Sequence, residues 1–166
     1  NFLYGIPQWA VSVALDDAEG GLVGVVFDPV ADELFGAERG GGAKLNGKRI
    51  RVREGAELSR ALVGTGFGYD PAVRAEQAKV VEHVLPRIRD IRRAGAAALD
   101  LAWVAAGRLD GFFERGLKPW DRAAGELLVT EAGGAVADMT GEPRGLVAGS
   151  PELVAELAGL LDSVGG

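Results

Sequence analysis

Residues 118–134 read KPWDRAAGELLVTEAGG, a Trp-Asp pair at the mouth of a small, apolar, helix-like run that ends in two glycines. A serine or threonine would cap such a helix as well as Asp121 does, so the carboxylate needs a reason. One reason is electrostatic: an acid in the first turn gains about 0.3–1 kcal/mol against the macrodipole. The other is chemical: a metal ligand carried on a rigid helix start, projecting into a cleft at the end of the preceding strand. Periodicity alone leaves both readings open.

Composition narrows the chemistry. The chain has 166 residues, 48% of them hydrophobic, with a formal charge of -6, no cysteine and one histidine. A chain of this length buries roughly 70% of its extended surface on folding, enough for one large domain or two small ones. No apolar run reaches the about 18 residues that a membrane span needs. No signal-peptide pattern is present, so the expected location is cytoplasmic. The absence of cysteine excludes disulfides, thiolate nucleophiles and sulfur-ligated metal sites. The negative balance argues against broad nucleic-acid binding without excluding a local basic patch. His83 falls among Glu76, Lys79 and Arg87, opposite an apolar stripe of Val73, Val80, Val81, Val84 and Ile88, which makes it a surface residue. Carboxylates are what remain for catalysis, and carboxylates without histidine suit hard cations such as Mg²⁺.

Outward from the opening stretch, the spacing predicts two kinds of structure. Residues 1–57 read as antiparallel sheet. WAVSVALD puts Trp9, Val11, Val13 and Leu15 on one face, LVGVVFD and DELFGAE follow as strands, and Asn46-Gly47 is a hairpin signal. Residues 58–166 read as alternating strands and helices, with strands in ALVGTG, DIRR, LDGFFE and GLVAGS. Asp70-Pro71 starts one helix. GAAALDLAWVAAG is apolar nearly all round, as expected of a helix sandwiched between layers. Ser150-Pro151 starts a last helix with Leu153, Leu157 and Leu160 inward. The expected fold class is therefore α/β, an α+β layered sandwich of an antiparallel sheet followed by an alternating α/β unit.

WDRAAGELLVTEAGG resembles the second signature motif of the inositol monophosphatase family. The resemblance extends through NFLYGIPQWAVSVAL, GVVFDP, ELFGAERGGGAKLNGKRIRV and IRRAGAAALDLAWVAAGRLDGFFE, almost the whole chain. It implies an Mg²⁺-dependent phosphomonoesterase of small polyol or sugar phosphates, often a homodimer. By resemblance Asp121 is a catalytic metal ligand that also contacts a substrate hydroxyl, and Trp120 packs beneath the site. Glu114, on residue type alone a strand-end surface acid, becomes the acceptor of a sugar or cyclitol hydroxyl. Gly95, Ala96 and Ala97 match the segment that approaches the substrate ring, although Ala96 lacks the hydroxyl usual there. The family's first metal motif would end immediately before Asn1, so the chain is expected to be the C-terminal two-thirds of such an enzyme and inactive alone. Histidinol-phosphate, fructose-1,6-bisphosphate and adenosine 3′,5′-bisphosphate phosphatases share these motifs, and a noncatalytic RNA- or protein-binding regulatory member is the rival from another class.

Three further signals read as structural. GTGFGYD has spaced glycines but no dinucleotide or P-loop pattern, which predicts a turn at a domain junction. ERGGG predicts a flexible hairpin tip. RIRDIRR, with arginines at 87, 89, 92 and 93, predicts a solvated or subunit-facing segment.

Overall fold

The computed structural model describes residues 1–163, and it arranges them as two sheets and four helices. β1 (Val11–Asp17), β2 (Gly20–Asp28), β3 (Glu33–Glu38), β4 (Gly42–Leu45) and β5 (Lys48–Arg49) form an antiparallel meander in chain order. The second sheet has the order β7-β6-β8-β10-β9, built from β6 (Leu62–Thr65), β7 (Asp90–Arg92), β8 (Gly111–Arg115), β9 (Ala135–Met139) and β10 (Gly145–Gly149). Within it β6 runs parallel to β7 and β8, while β10 is antiparallel to β8 and β9.

The helices α1 (Pro71–Val84), α2 (Ala97–Ala105), α3 (Pro119–Glu131) and α4 (Pro151–Asp162) set the layers. α2 and α3 lie between the two sheets, and α1 and α4 cover the far face of the second. The nearly all-apolar surface of α2 explains its place: Leu99, Leu101, Ala102, Val104 and Ala105 are all buried. Close approach is made by small residues. A Cβ on Gly125 would lie 2.5 Å from Leu101 Cβ, and one on Gly24 would lie 3.0 Å from the Ala124 backbone. Each helix can therefore sit against its neighbour at a spacing that a larger side chain would forbid.

Several expectations change in detail. The inward residues of α4 are Leu153, Val154, Leu157 and Leu161, with Leu160 only half-buried. Gln77 joins Val84 as a buried residue of α1, because its Oε1 accepts the Gly68 N–H at 2.9 Å. ERGGG is not a free tip: Glu131, at the end of α3, accepts the N–H groups of Gly40 and Gly42, each at 2.8 Å. The shared face of Val11, Val13 and Leu15 exists, but these residues are 52%, 61% and 58% exposed on the outer side of the first sheet.

Candidate active site

The carboxyl ends of β6 and β8 point toward the same end of the second sheet, and the amino ends of α2 and α3 follow close behind. Open α/β sheets place ligands at such an end, and helix amino ends carry partial positive charge that favours anions.

Asp121 lies in the first turn of α3 and is half-buried. Its Oδ2 accepts the Lys118 N–H at 2.9 Å, so the capping reading is real. Its Oδ1 takes no hydrogen bond among the described residues, which leaves one carboxylate oxygen for chemistry. Trp120 does not pack beneath the site as expected. It is 72% exposed, at the second residue of α3.

Glu114, at the end of β8, is half-buried rather than a free surface acid. Its carboxyl rests on Gly66, where a Cβ would come within 2.1 and 2.4 Å of the two oxygens. Burial pushes the Glu114 carboxyl up to about 7, the Arg93 guanidinium works against that rise, and the Asp121 carboxylate adds to it. Of the glycines of GTGFG, Gly64 lies within β6 and Gly66 just beyond it, and a Cβ on Gly64 would come within 3.4 Å of Asp100 Oδ1.

Gly95 has a left-handed φ of 82°, which a side chain rarely tolerates, and a Cβ there would meet Arg93 Nη1 at 2.3 Å. Ala96 precedes α2 and Ala97 begins it, both half-buried. Asn1 holds this turn: its Nδ2 donates to Gln8 O at 2.6 Å, Ala94 O at 2.8 Å and Gly95 O at 3.4 Å. Sequence reading missed Asn1, because its partners in this turn, Ala94 and Gly95, lie more than ninety residues away and no local pattern announces them. It also missed Asp100, a 1% exposed acid on α2 whose carboxyl burial pushes up to about 8, with the Glu114 charge adding and Arg93 opposing. Arg93 lies beside Gly95, and its guanidinium and the Asp121 carboxylate act in opposite directions on the Glu114 carboxyl.

Among the described residues no group of three or more His, Asp or Glu side chains is arranged to hold a cation. Asp121 alone does not make an Mg²⁺ site; such an ion takes one or two carboxylates and fills the rest of its shell from water and substrate phosphate. His83 is remote, with Nε2 3.1 Å from Ser163 Oγ. Of the arginines, Arg92 is paired with Asp90, Arg87 donates to His83 O, and Arg93 lies over the Phe67 ring.

The fold is a layered α/β protein, and Glu114 and Asp121 lie near the strand ends of its mixed sheet, where the candidate site is placed. The pattern of the inositol monophosphatase family matches residues 1–163. The chain is 52% identical to an inositol-1-monophosphatase of Rhizobium meliloti, over 90% of this chain and 57% of that protein. It is 47% identical to the Nus factor SuhB of Escherichia coli, over 99% of this chain and 64% of that protein. Among solved structures, Mycobacterium tuberculosis SuhB superposes with a TM-score of 0.91 at 44% identity, covering 100% of this chain and 68% of that one. This chain belongs to the inositol monophosphatase family. It spans 57% and 64% of the length of the two curated relatives named here.

Proposed function

We propose that this chain is the substrate-side portion of an Mg²⁺-dependent phosphomonoesterase that hydrolyses a small polyol or sugar phosphate such as inositol monophosphate. The observation that supports the reading is the convergence of Glu114, Asp121 and the 94–97 turn at the end of the sheet where the amino ends of α2 and α3 lie. Asp121 offers its free oxygen as one ligand of the catalytic metal, and Mg²⁺, when bound, supplies charge neutralisation at the phosphate. Glu114 accepts a hydrogen bond from a ring hydroxyl. Gly95, Ala96 and Ala97 border the ring, held in place by Asn1. Because Ala96 offers no hydroxyl, recognition rests more heavily on Glu114. The natural setting of this reading is a cytoplasmic homodimer; no helix among the described residues is long and apolar enough to cross a membrane.

The test is hydrolysis of a panel of phosphomonoesters, with Mg²⁺ and with chelator, by this chain joined to the family segment that precedes it in its relatives, here called the extended enzyme. Mg²⁺-dependent turnover that favours polyol phosphates is expected. No turnover of any ester would refute the reading.

Similarity to proteins named Nus factor SuhB favours a second reading, a regulatory member that binds RNA or protein. The basic segment 87–93 would carry it, yet Arg87, Arg92 and Arg93 are already engaged within the chain. An RNA-binding measurement at low salt decides: retention that weakens steeply with added salt would support this reading, and its absence would count against it.

A further inference from the structure

Asp100 is the buried acid that the reading above leaves unused. Its Oδ1 finds no hydrogen-bond partner among the described residues. A carboxylate removed from water without a partner is strongly disfavoured, and such a group in a native protein calls for a reason.

The glycines of β6 show what surrounds it. Gly64 and Gly66 share one face, being two residues apart along an extended chain. A Cβ on Gly64 would lie 3.4 Å from Asp100 Oδ1, and a Cβ on Gly66 would lie on the Glu114 carboxyl. Gly64 is paired with Phe112 across the parallel strands, which brings Glu114 beside Gly66. Two carboxyl groups therefore occupy successive positions along one glycine floor. Glu114 also acts on Asp100 electrostatically, and Arg93 acts on both.

We propose that Asp100 is a positioning residue for Glu114: in its neutral form it donates a hydrogen bond to the Glu114 carboxylate and so fixes the oxygen that receives a substrate hydroxyl. The inference rests on the reading of Glu114 as that acceptor. Two ionised carboxylates are acceptors only and repel one another, whereas one proton between them turns one into a donor. Asp100 is the deeper of the two and keeps the proton, while Glu114, nearer solvent, takes the charge. The other charges that bear on the pair are Arg93 and Asp121. A donated bond leaves the second Glu114 oxygen free for the ligand, and it holds a long side chain that would otherwise sample several rotamers.

Two measurements on the extended enzyme test this. The first needs no turnover: the infrared C=O stretch of the protonated acid is read with carboxyl-labelled aspartate in chelator, through a pH series that runs upward from the ordinary aspartate range. A protonated-aspartate band is expected, lost in Asp100→Asn and shifted in Glu114→Gln. Its absence in the unsubstituted protein, or its indifference to Glu114→Gln, overturns the proposal. The second compares substitutions kinetically. Asp100→Asn keeps a neutral donor and should leave KM for a polyol phosphate within about threefold, while Asp100→Leu, without a donor, should raise it roughly tenfold and spare an aryl phosphate. Equal losses in the two variants, or on the two substrates, also overturn it. If Asp100→Leu does not fold, the Asp100→Asn kinetics and the infrared band still decide. If no ester is turned over, the functional reading fails and the infrared band alone judges the hydrogen bond.

Discussion

Gly66→Ala is the most economical perturbation of the candidate site. Gly66 does not have a left-handed backbone, so alanine fits the main chain, but its Cβ would stand 2.1–2.4 Å from the carboxyl atoms of Glu114. The crowded atoms are the tip of a flexible side chain, so Glu114 swings away and the strand stays. The stability cost should be under about 1 kcal/mol, in the range of substitutions that disturb no core packing. The functional cost should be larger: a hydrogen bond from substrate to a charged group contributes about 1.5–3 kcal/mol, or roughly ten- to a hundredfold in kcat/KM. The assay is the extended enzyme on inositol monophosphate and on an aryl phosphate that lacks ring hydroxyls, with a thermal melt as control. The expected result is a loss confined to the polyol substrate at nearly unchanged Tm. Unchanged kcat/KM on the polyol, or an equal fall on both substrates, would refute the placement of Glu114 as hydroxyl acceptor.

Other substitutions probe the neighbouring residues. Asp121→Asn in the extended enzyme should weaken Mg²⁺ activation and reduce turnover, because a neutral amide is a poorer ligand for a hard cation; full Mg²⁺-dependent activity would remove Asp121 from the site. Asn1→Ala should raise KM with little change in kcat by releasing the 94–95 turn, and hydrogen exchange at that turn should accelerate in the same variant. Asp100 has a folded value near 8 against 3.8 for the free acid, so the folded state holds the extra proton and stability should fall as pH rises from about 4 to 8. Asp100→Asn should flatten that slope in a Tm series and leave the variant more stable than the parent at alkaline pH. Residues 1–166 expressed alone should be inactive and poorly soluble, since Val11, Val13, Leu15 and Leu34 leave an apolar sheet face open; light scattering should fall with Val13→Lys, and robust Mg²⁺-dependent turnover by the isolated chain would sink the ligand count.

The sequence was most informative where the pattern is local. Val11, Val13 and Leu15 alternate, α2 is apolar nearly all round, and Asp70 and Ser150 each precede a proline and cap the helix that follows, so these elements could be read within a window of ten residues. β9 escaped notice because AVADM is short, half-buried and weakly alternating after two glycines. Leu161 was exchanged for Leu160 because a one-residue shift rotates a helix face by about 100° and the stripe tolerates either reading. For the candidate site the sequence points to Glu114, Asp121 and the 95–97 segment, and not to Asp100. Asp121 and Glu114 are recognisable residue types, but the roles of Gly64, Gly66 and Asn1 arise from neighbours that the fold delivers from distant positions. A glycine that makes room for a carboxyl looks, in one dimension, the same as a glycine in a turn.

That asymmetry explains what the stretch from Trp120 to Gly134 encodes. Ala124 lies against Gly24, and Gly125 against Leu101, at distances that leave no space for a larger residue. Glu131 ties the β3–β4 turn to the end of α3 through two backbone N–H groups. Gly133 takes a φ of 85°, and a Cβ on Gly134 would strike Gly149 O at 2.7 Å. Most of the stretch therefore specifies how α3 is clamped between two sheets, and only Asp121 offers a free oxygen at its mouth. A pattern of this kind identifies a fold with high specificity, because five separate contacts must all be met. It constrains the substrate weakly, because in the proposed reading substrate selection belongs to Glu114, Ala96 and their neighbours, outside the stretch. Substrate preference in this chain should accordingly respond to changes around Gly66, Asp100 and Ala96, whereas changes at Gly125 or Gly134 should act through stability.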